Sequence, residues 1–285
     1  MKISQIGFNL RLMLSALLGN IDNRLLPVPK NLLRVCLIIS FSLWTCAFAR
    51  HCLFQSNVYD LGLFDQWVWL ISQGLKPISS MAKVHVLSDH AAWVLYLLAP
   101  FYKLYASVNW LFIGQALGLS FTAIPLWLLA LQAGLSRKIC WLVCAIWWLQ
   151  PIVFNVNLFD FHPEVLGMPA LAGCYLMSRY NKVLQWFLLC ILLVACRDGM
   201  ILIVAGMGLE QAIRKRWRFA ILSAVISIGW LLFITNWLFP YLKKYSNGQV
   251  GASESYLSTF SDFFTNNMYE IQKFDWVGGI IYLVL

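Results

Sequence analysis

Apolar residues in this chain come in long stretches, not in the alternation of a half-buried sheet or the one-sided stripe of a soluble helix. Leu32–Ala49, Trp93–Tyr105, Trp110–Leu131, Cys140–Val156, Val165–Met177, Val183–Ile213 and Phe219–Phe239 are rich in Leu, Ile, Val, Phe, Trp and Ala. Runs near the roughly 20 residues that cross a hydrocarbon core predict transmembrane helices. A membrane β-barrel would need polar and apolar residues in alternation, and Leu188–Val194 shows none. The pattern therefore predicts an all-α polytopic helical bundle of about seven to nine segments.

Interruptions in the pattern divide the chain. Residues 1–31 mix Lys2, Arg11, Arg24 and Lys30 with apolar stretches too short to span. No small-residue cleavage site follows, so they read as a weakly amphipathic cytoplasmic lead-in. Residues 32–239 form the transmembrane domain, with an external loop at 50–91. Residues 240–275 form a polar external loop, and 276–285 start a further span that ten residues cannot complete, as in a truncated sequence. Inside the first loop, Leu61, Phe64, Trp67, Val68 and Ile71 share one helical stripe of Tyr59–Gln73. An amphipathic helix lying in the interface is expected, with Trp67 and Trp69 at headgroup level and a stop at Gln73-Gly74.

Composition strengthens this reading. The chain is 61% hydrophobic and 12% charged, where a soluble domain carries about a quarter charged residues. Its net charge of +9 collects in the loops holding Arg137-Lys138, Arg179 with Lys182, and Arg214-Lys215-Arg216 with Arg218. Cytoplasmic loops against anionic lipid explain that basicity. No nucleic-acid recognition motif accompanies it, so nucleic acid is excluded as a partner. The 8 cysteines are scattered singletons without metal-ligand spacing and read as small buried hydrophobes.

With those basic loops inside, the acidic stretches fall outside. Val183–Cys196 must then rise and Gly199–Ile213 descend, turning at Arg197-Asp198, with limbs of about 14 residues. Broken helices of that length are tolerated where they line an enclosed cavity. Three segments, Trp93–Tyr105, Trp110–Leu131 and Cys140–Val156, lie between two loops that should share the external side, which an odd number of full crossings cannot do. One of the three must lie in the interface or re-enter, and Trp93–Tyr105, short and carrying Pro100, is the candidate.

The chemistry sits in five polar stretches: Asp60, Asp65, Asp89-His90, Asp160-Phe161-His162-Pro163-Glu164 and Arg197-Asp198. They hold six of the 12 acidic residues and two of the 4 histidines, and ionisable groups at membrane depth mark function. Asp60 and Asp65 are five apart, roughly 140° around a helix, unless Asp60 is its N-cap. A carboxylate just above hydrocarbon suits proton transfer or metal binding. In the 160–164 run, extended backbone before Pro163 would point Asp160, His162 and Glu164 to one side. Such a set can hold a hard divalent cation or share a proton. Pro163 also suits the first turn of the next helix, and capping alone would explain part of the cluster. A cap by Ser88 or Asp89 accounts for half of Ser88-Asp89-His90. Arg197-Asp198 reads equally as a local ion pair permitting the helix break, and His51 and His85 as ordinary loop residues.

The order of these motifs carries a resemblance. Tyr59-Asp60-Leu61-Gly62-Leu63-Phe64-Asp65-Gln66, then Asp89-His90 leading into Leu97-Leu98-Ala99-Pro100-Phe101-Tyr102, then Phe159–Glu164, then Arg197-Asp198, resembles the DUF2079 family of predicted bacterial membrane proteins over about residues 57–240. That family is grouped by similarity with the GT-C membrane glycosyltransferases. The resemblance implies a GT-C-like bundle in the inner (plasma) membrane, with membrane lipids and a polyprenyl-phosphate-sugar donor as partners. It also implies a divalent metal ion such as Mg or Mn in some members. On that pattern Asp65 and Asp60 are the catalytic acids, and Asp160, His162 and Glu164 are metal or donor-phosphate ligands. His90, Arg197 and Asp198 complete the donor-binding wall. The family often has Glu-Asp where this chain has Arg197-Asp198. A transporter, whose broken helices also place charges in the membrane, and a catalytically silent membrane protein are the alternatives.

Overall fold

The computed structural model describes residues 27–244, and helices joined by short loops make up most of the described chain. No strand occurs among the described residues, and an isolated antiparallel bridge joins Ile78 to His85. The all-α expectation therefore holds. Most of the lead-in, nearly all of the 240–275 loop and the 276–285 run lie outside the described residues.

Three helices are long and apolar enough to cross a membrane: Lys30–Cys52, Asn109–Gln132 and Trp217–Lys243. A fourth crossing is available from Arg137–Leu149 with Pro151–Phe159. The described residues thus carry three or four full-length crossings, and the remaining apolar segments are shorter helices. The chain falls into two compact units, residues 27–56 with 111–189 and residues 57–110 with 190–244.

The first unit begins with α1, Lys30–Cys52, whose 23 residues extend about 35 Å, enough for a hydrocarbon core. Leu32, Cys36, Ser40, Leu43 and Ala47 form its buried stripe at helical spacing, while Leu37, Ile38 and Phe41 face outward. Helices α5 (Asn109–Phe121) and α6 (Ala123–Gln132) follow one another, and this span is 67% buried where α1 is 28% buried. It is therefore the more enclosed of the two. At the junction the Thr122 hydroxyl bonds back to Gly118 O at 2.7 Å.

Cys140–Val156, read from sequence as one segment, is two helices, α7 (Arg137–Leu149) and α8 (Pro151–Phe159), bent by 41°. Pro151 lacks the N–H that would continue the helix, so Gln150 is extended and the axis turns there. A 3₁₀ turn at Pro163–Gly167 leads into α9, Met168–Arg179, with Pro163 opening the turn as expected.

Few polar groups tie these helices together, but they are placed at depth. The Ser120 hydroxyl donates to Cys36 O at 2.6 Å, Asn157 Nδ2 to Leu43 O at 2.9 Å, and Trp147 Nε1 to Leu119 O at 2.6 Å. In a lipid solvent the hydrophobic effect no longer drives helices together, so such bonds and close packing decide how they associate.

In the second unit a π turn at Val58–Gly62 runs into α2, Leu63–Ser72, which ends at Gln73 and Gly74, the latter at φ 69°. The expected stop is found. Helix α3 is the short Val86–Asp89, and α4 is Leu95–Leu104. With 10 residues, α4 covers about 15 Å, half a bilayer core; the short segment is the one the sequence singled out. Helix α2 packs against α4, which buries Trp67 completely and leaves Trp69 42% exposed. The headgroup role expected for both tryptophans is thus corrected for Trp67, which is core.

Helices α10 (Val183–Cys196) and α11 (Met200–Ile213) are separated at Arg197–Gly199, where the charges interrupt the apolar run. Helix α12, Trp217–Phe233, pairs with α11 through small residues. A Cβ on Gly208 would collide with the Ser223 side chain, the Ser223 hydroxyl donates to Val204 O, and that of Ser227 to Ile201 O. The helix then continues through a π turn at Ile234–Leu238 into α13, Phe239–Lys243. The polar loop expected from Pro240 thus starts later, because Pro240 sits in the first turn of α13, where its missing N–H is tolerated.

Candidate functional site

The first unit carries Asp160, His162 and Glu164. Asp160 ends α8 with φ 146° and ψ −177°, a region that only glycine enters without strain. Its carboxylate is wholly enclosed, and its Oδ1 accepts from Arg50 Nη1 at 2.7 Å. Arg50 lies in the last turn of α1, 24% exposed. Two buried amides hold the corner in place. Gln115 Nε2 donates to Val156 O and Asn157 O, both at 3.2 Å, while its Oε1 accepts from His162 N at 3.1 Å. Asn157 is itself fixed to α1 through Leu43 O. The following 3₁₀ turn lies so close to α5 that a Cβ on Gly118 would sit 2.7 Å from Val165 O.

The backbone of 160–164 is not the even extended run that would align the three side chains. His162 is extended (φ −134°, ψ 130°), but Glu164 already belongs to the 3₁₀ turn that Pro163 opens, and it is buried. The Asp160 carboxylate is already paired with the Arg50 guanidinium. Among the described residues, no group of three or more His, Cys, Asp or Glu side chains is placed to hold a metal ion. The three residues therefore do not fit a divalent cation in this arrangement, and no chemical step is derived through one. His51, read as a loop residue, belongs to the last turn of α1, with its Nδ1 3.0 Å from Ser56 Oγ and its ring against Phe112.

The second unit carries the other five. Asp65 sits in the first turn of α2, partly buried, and its Oδ1 accepts from the Tyr102 hydroxyl of α4 at 2.7 Å. Burial, then the neighbouring Asp65 charge, push the Tyr102 hydroxyl above its ordinary pKa. It therefore stays a donor. Asp60 is not the cap of this helix: the side chain of Asn57 accepts from Tyr59 N at 2.9 Å, and Asp60 lies within the π turn. Beside Asp65, Gln66 takes the Ser79 hydroxyl at 2.9 Å and Ser80 N at 3.0 Å, which pins the 79–80 loop to α2.

Ser88 and Asp89 do not cap the following segment either. Helix α4 has no side-chain cap, and both residues lie inside α3, which His85 caps as its Nδ1 accepts from Leu87 N at 3.1 Å. Burial lowers the His85 pKa to about 4, so the ring remains the neutral acceptor that the cap requires. His90 Nε2 lies 3.1 Å from Asp89 Oδ2, and His90 O accepts from Asp198 N at 3.0 Å. Val94 N donates to Ala195 O at 2.9 Å, and Asp198 Oδ1 takes Gly199 N at 2.9 Å. The helix break is thus stitched to segment 90–94, whose backbone satisfies groups that α10 and α11 cannot. Arg197 and Asp198 are both buried. The structure brings His90 and Asp198 together; it puts Asp65 with Tyr102 and Asp160 with Arg50.

Arg50, Gln115 and Asn157 were not singled out in the sequence, Tyr102 entered only as the end of the Leu97–Tyr102 motif, and His85 was read as a loop residue. Gln115 and Asn157 did carry a signal, being amides inside apolar runs. Arg50 and Tyr102 are recognisable only through partners 110 and 37 residues away.

Spans of this length and composition define a multi-pass helical membrane protein. The family model of predicted membrane proteins called DUF2079 matches residues 50–285, well over half of the chain. The protein belongs to the DUF2079 family. No curated protein and no solved structure matches it.

Proposed function

We propose that the protein is a GT-C-type glycosyltransferase that moves a sugar from a polyprenyl-phosphate donor at the external membrane face. In this reaction an acceptor hydroxyl attacks the anomeric carbon. The C–O bond to the donor phosphate breaks, the phosphate leaves with the electron pair, and a base takes the hydroxyl proton. Asp65 is that base, with Asp60 beside it in sequence, while His90, Arg197 and Asp198 contribute to the donor wall. The observation that carries the reading is the Asp65–Tyr102 hydrogen bond at 2.7 Å. It holds a partly buried carboxylate on a rigid helix, as a general base requires.

The test is the pool of lipid-linked sugars and surface glycans in a deletion strain, complemented by the wild-type gene or by Asp65→Asn. Asn keeps the acceptor oxygen for Tyr102 but cannot take a proton. The expected result is an altered pool restored by wild type and not by Asp65→Asn. A deletion that changes neither pool removes the proposal.

A transporter is the second reading, and a specific feature favours it: α10 and α11 break at the buried Arg197 and Asp198, as discontinuous helices do at transport sites. In reconstituted vesicles it requires solute flux that Asp198→Asn abolishes and Asp65→Asn leaves unchanged.

A further inference from the structure

We infer that Arg50, held in place by Asp160, is an oxyanion-binding residue, a fixed guanidinium standing where the family resemblance would put a divalent cation. The inference rests on the transferase reading in one respect only: there the oxyanion is the phosphate of the lipid donor.

Arg50 gives Nη1 to Asp160 and is 24% exposed, and its other nitrogens hydrogen-bond to no described residue. A guanidinium has five donors in a planar fork suited to phosphate, and it cannot lose its charge at any physiological pH. One nitrogen is engaged, which orients the fork that carries the rest. Asp160 is built for holding and not for contact with ligand, since its side chain is fully enclosed. Neutralising an arginine at a helix end needs no special backbone, and a surface pair would do it. Here the carboxylate is kept in a glycine-only conformation by the Gln115 and Asn157 bonds, and such strain persists where the surroundings over-determine a functional geometry. Asp160 is accordingly a positioning residue and Arg50 the binding residue.

The experiment uses the full chain in phosphatidylcholine nanodiscs with no anionic lipid. Binding of farnesyl phosphate, farnesol and inorganic phosphate is measured with EDTA and with added Mg²⁺. Farnesyl phosphate should bind, farnesol more weakly, and EDTA should change neither. Arg50→Gln should weaken farnesyl phosphate about tenfold or more and leave farnesol unchanged. Arg50→Lys, which keeps the charge and can keep the Asp160 pair, should fall between them. Asp160→Gly should weaken phosphate binding without affecting farnesol. Inorganic phosphate binding as tightly as farnesyl phosphate would assign the site to a soluble phosphate and not to a lipid headgroup.

Wild-type protein that fails to bind either phosphate overturns the inference, as does binding lost on adding EDTA. Farnesyl phosphate binding to Arg50→Gln at wild-type strength also overturns it; if that variant does not fold, the same result with Arg50→Lys does. Unchanged sugar pools alongside Arg50-dependent binding would remove the transferase and keep the anion site. Altered pools without such binding would do the reverse.

Discussion

Replacing Asp160 by glycine and by alanine separates the two things this residue does. Both variants delete the carboxylate and leave Arg50 equally alone, so the difference between them is a backbone effect. At φ 146° and ψ −177° a residue with a Cβ is strained by about 1–3 kcal/mol. Glycine escapes that strain but loses about 0.5–1 kcal/mol through its freer unfolded chain. Central values leave roughly 1 kcal/mol in favour of Asp160→Gly over Asp160→Ala. The sign is the point, because at an ordinary position alanine is the more stable of the two.

Relative to wild type, both should be destabilised. Removing one partner of a buried ion pair costs about 3–5 kcal/mol. Arg50 is 24% exposed, so water recovers part of that and the lower end applies. Offsetting the strain relief leaves Asp160→Gly about 2 kcal/mol below wild type. Thermal unfolding in detergent, followed by the loss of the monodisperse species, reads the order. Wild type should melt highest and Asp160→Gly next. Asp160→Ala should lie below that by roughly 2–4 °C for each kcal/mol. Asp160→Ala melting at or above Asp160→Gly would show that the backbone is unstrained, and the case for an over-determined corner would go with it.

Three further outcomes follow from neighbouring geometry. Gly118→Ala drives a Cβ to 2.7 Å from Val165 O and should lose about 1–3 kcal/mol. Gly206→Ala, with nothing within 4 Å of its Cβ, should be neutral or slightly stabilising in the same melting assay; equal losses would refute the close approach. Tyr102→Phe removes the Asp65 hydrogen bond and should cost about 1 kcal/mol, without the loss in Asp65→Phe/Tyr102→Phe exceeding that of Asp65→Phe by more than a few tenths. The His85 pKa is lowered to about 4 from an unfolded value near 6.5, so the unfolded chain binds more protons between those limits. Stability is then full above about pH 6.5 and falls as the pH drops toward 4. His85→Asn, which can still cap, should flatten that slope, and an unchanged pH profile would contradict the buried neutral ring.

What could be read from the sequence depended on the range of the interaction. The apolar helical segments and the break at Arg197–Gly199 were legible because a hydrocarbon core imposes one requirement on every residue in a run, whereas the bend at Pro151 inside such a run was not. The stop at Gly74 and the turn at Pro163 were legible because each is a property of one residue's backbone. Caps were less so: His85 caps α3 through a neutral imidazole nitrogen, and Ser88 and Asp89, expected to cap the segment after them, lie inside α3. The π turn hid the start of α2: Asn57 caps that turn, Asp60 lies within it, and α2 begins only at Leu63. Trp67 was misplaced because its stripe meets α4, and amphipathicity does not distinguish a partner helix from a membrane surface.

The acidic run at 160–164 shows why a cluster in sequence is not yet a site. Three ionisable residues within five positions suggest one shared ligand only if the backbone carries them to one side. Pro163 prevents that by opening a helical turn, which removes Glu164 from the extended strip. Asp160 is turned instead toward α1 by a backbone conformation that its own residue type disfavours. No local rule predicts such a conformation, because it is sustained from elsewhere, by Gln115 on α5 and by Asn157 tied to Leu43. The same amides that keep polar groups satisfied in an apolar bundle therefore decide which cation the buried carboxylate meets, and it is Arg50.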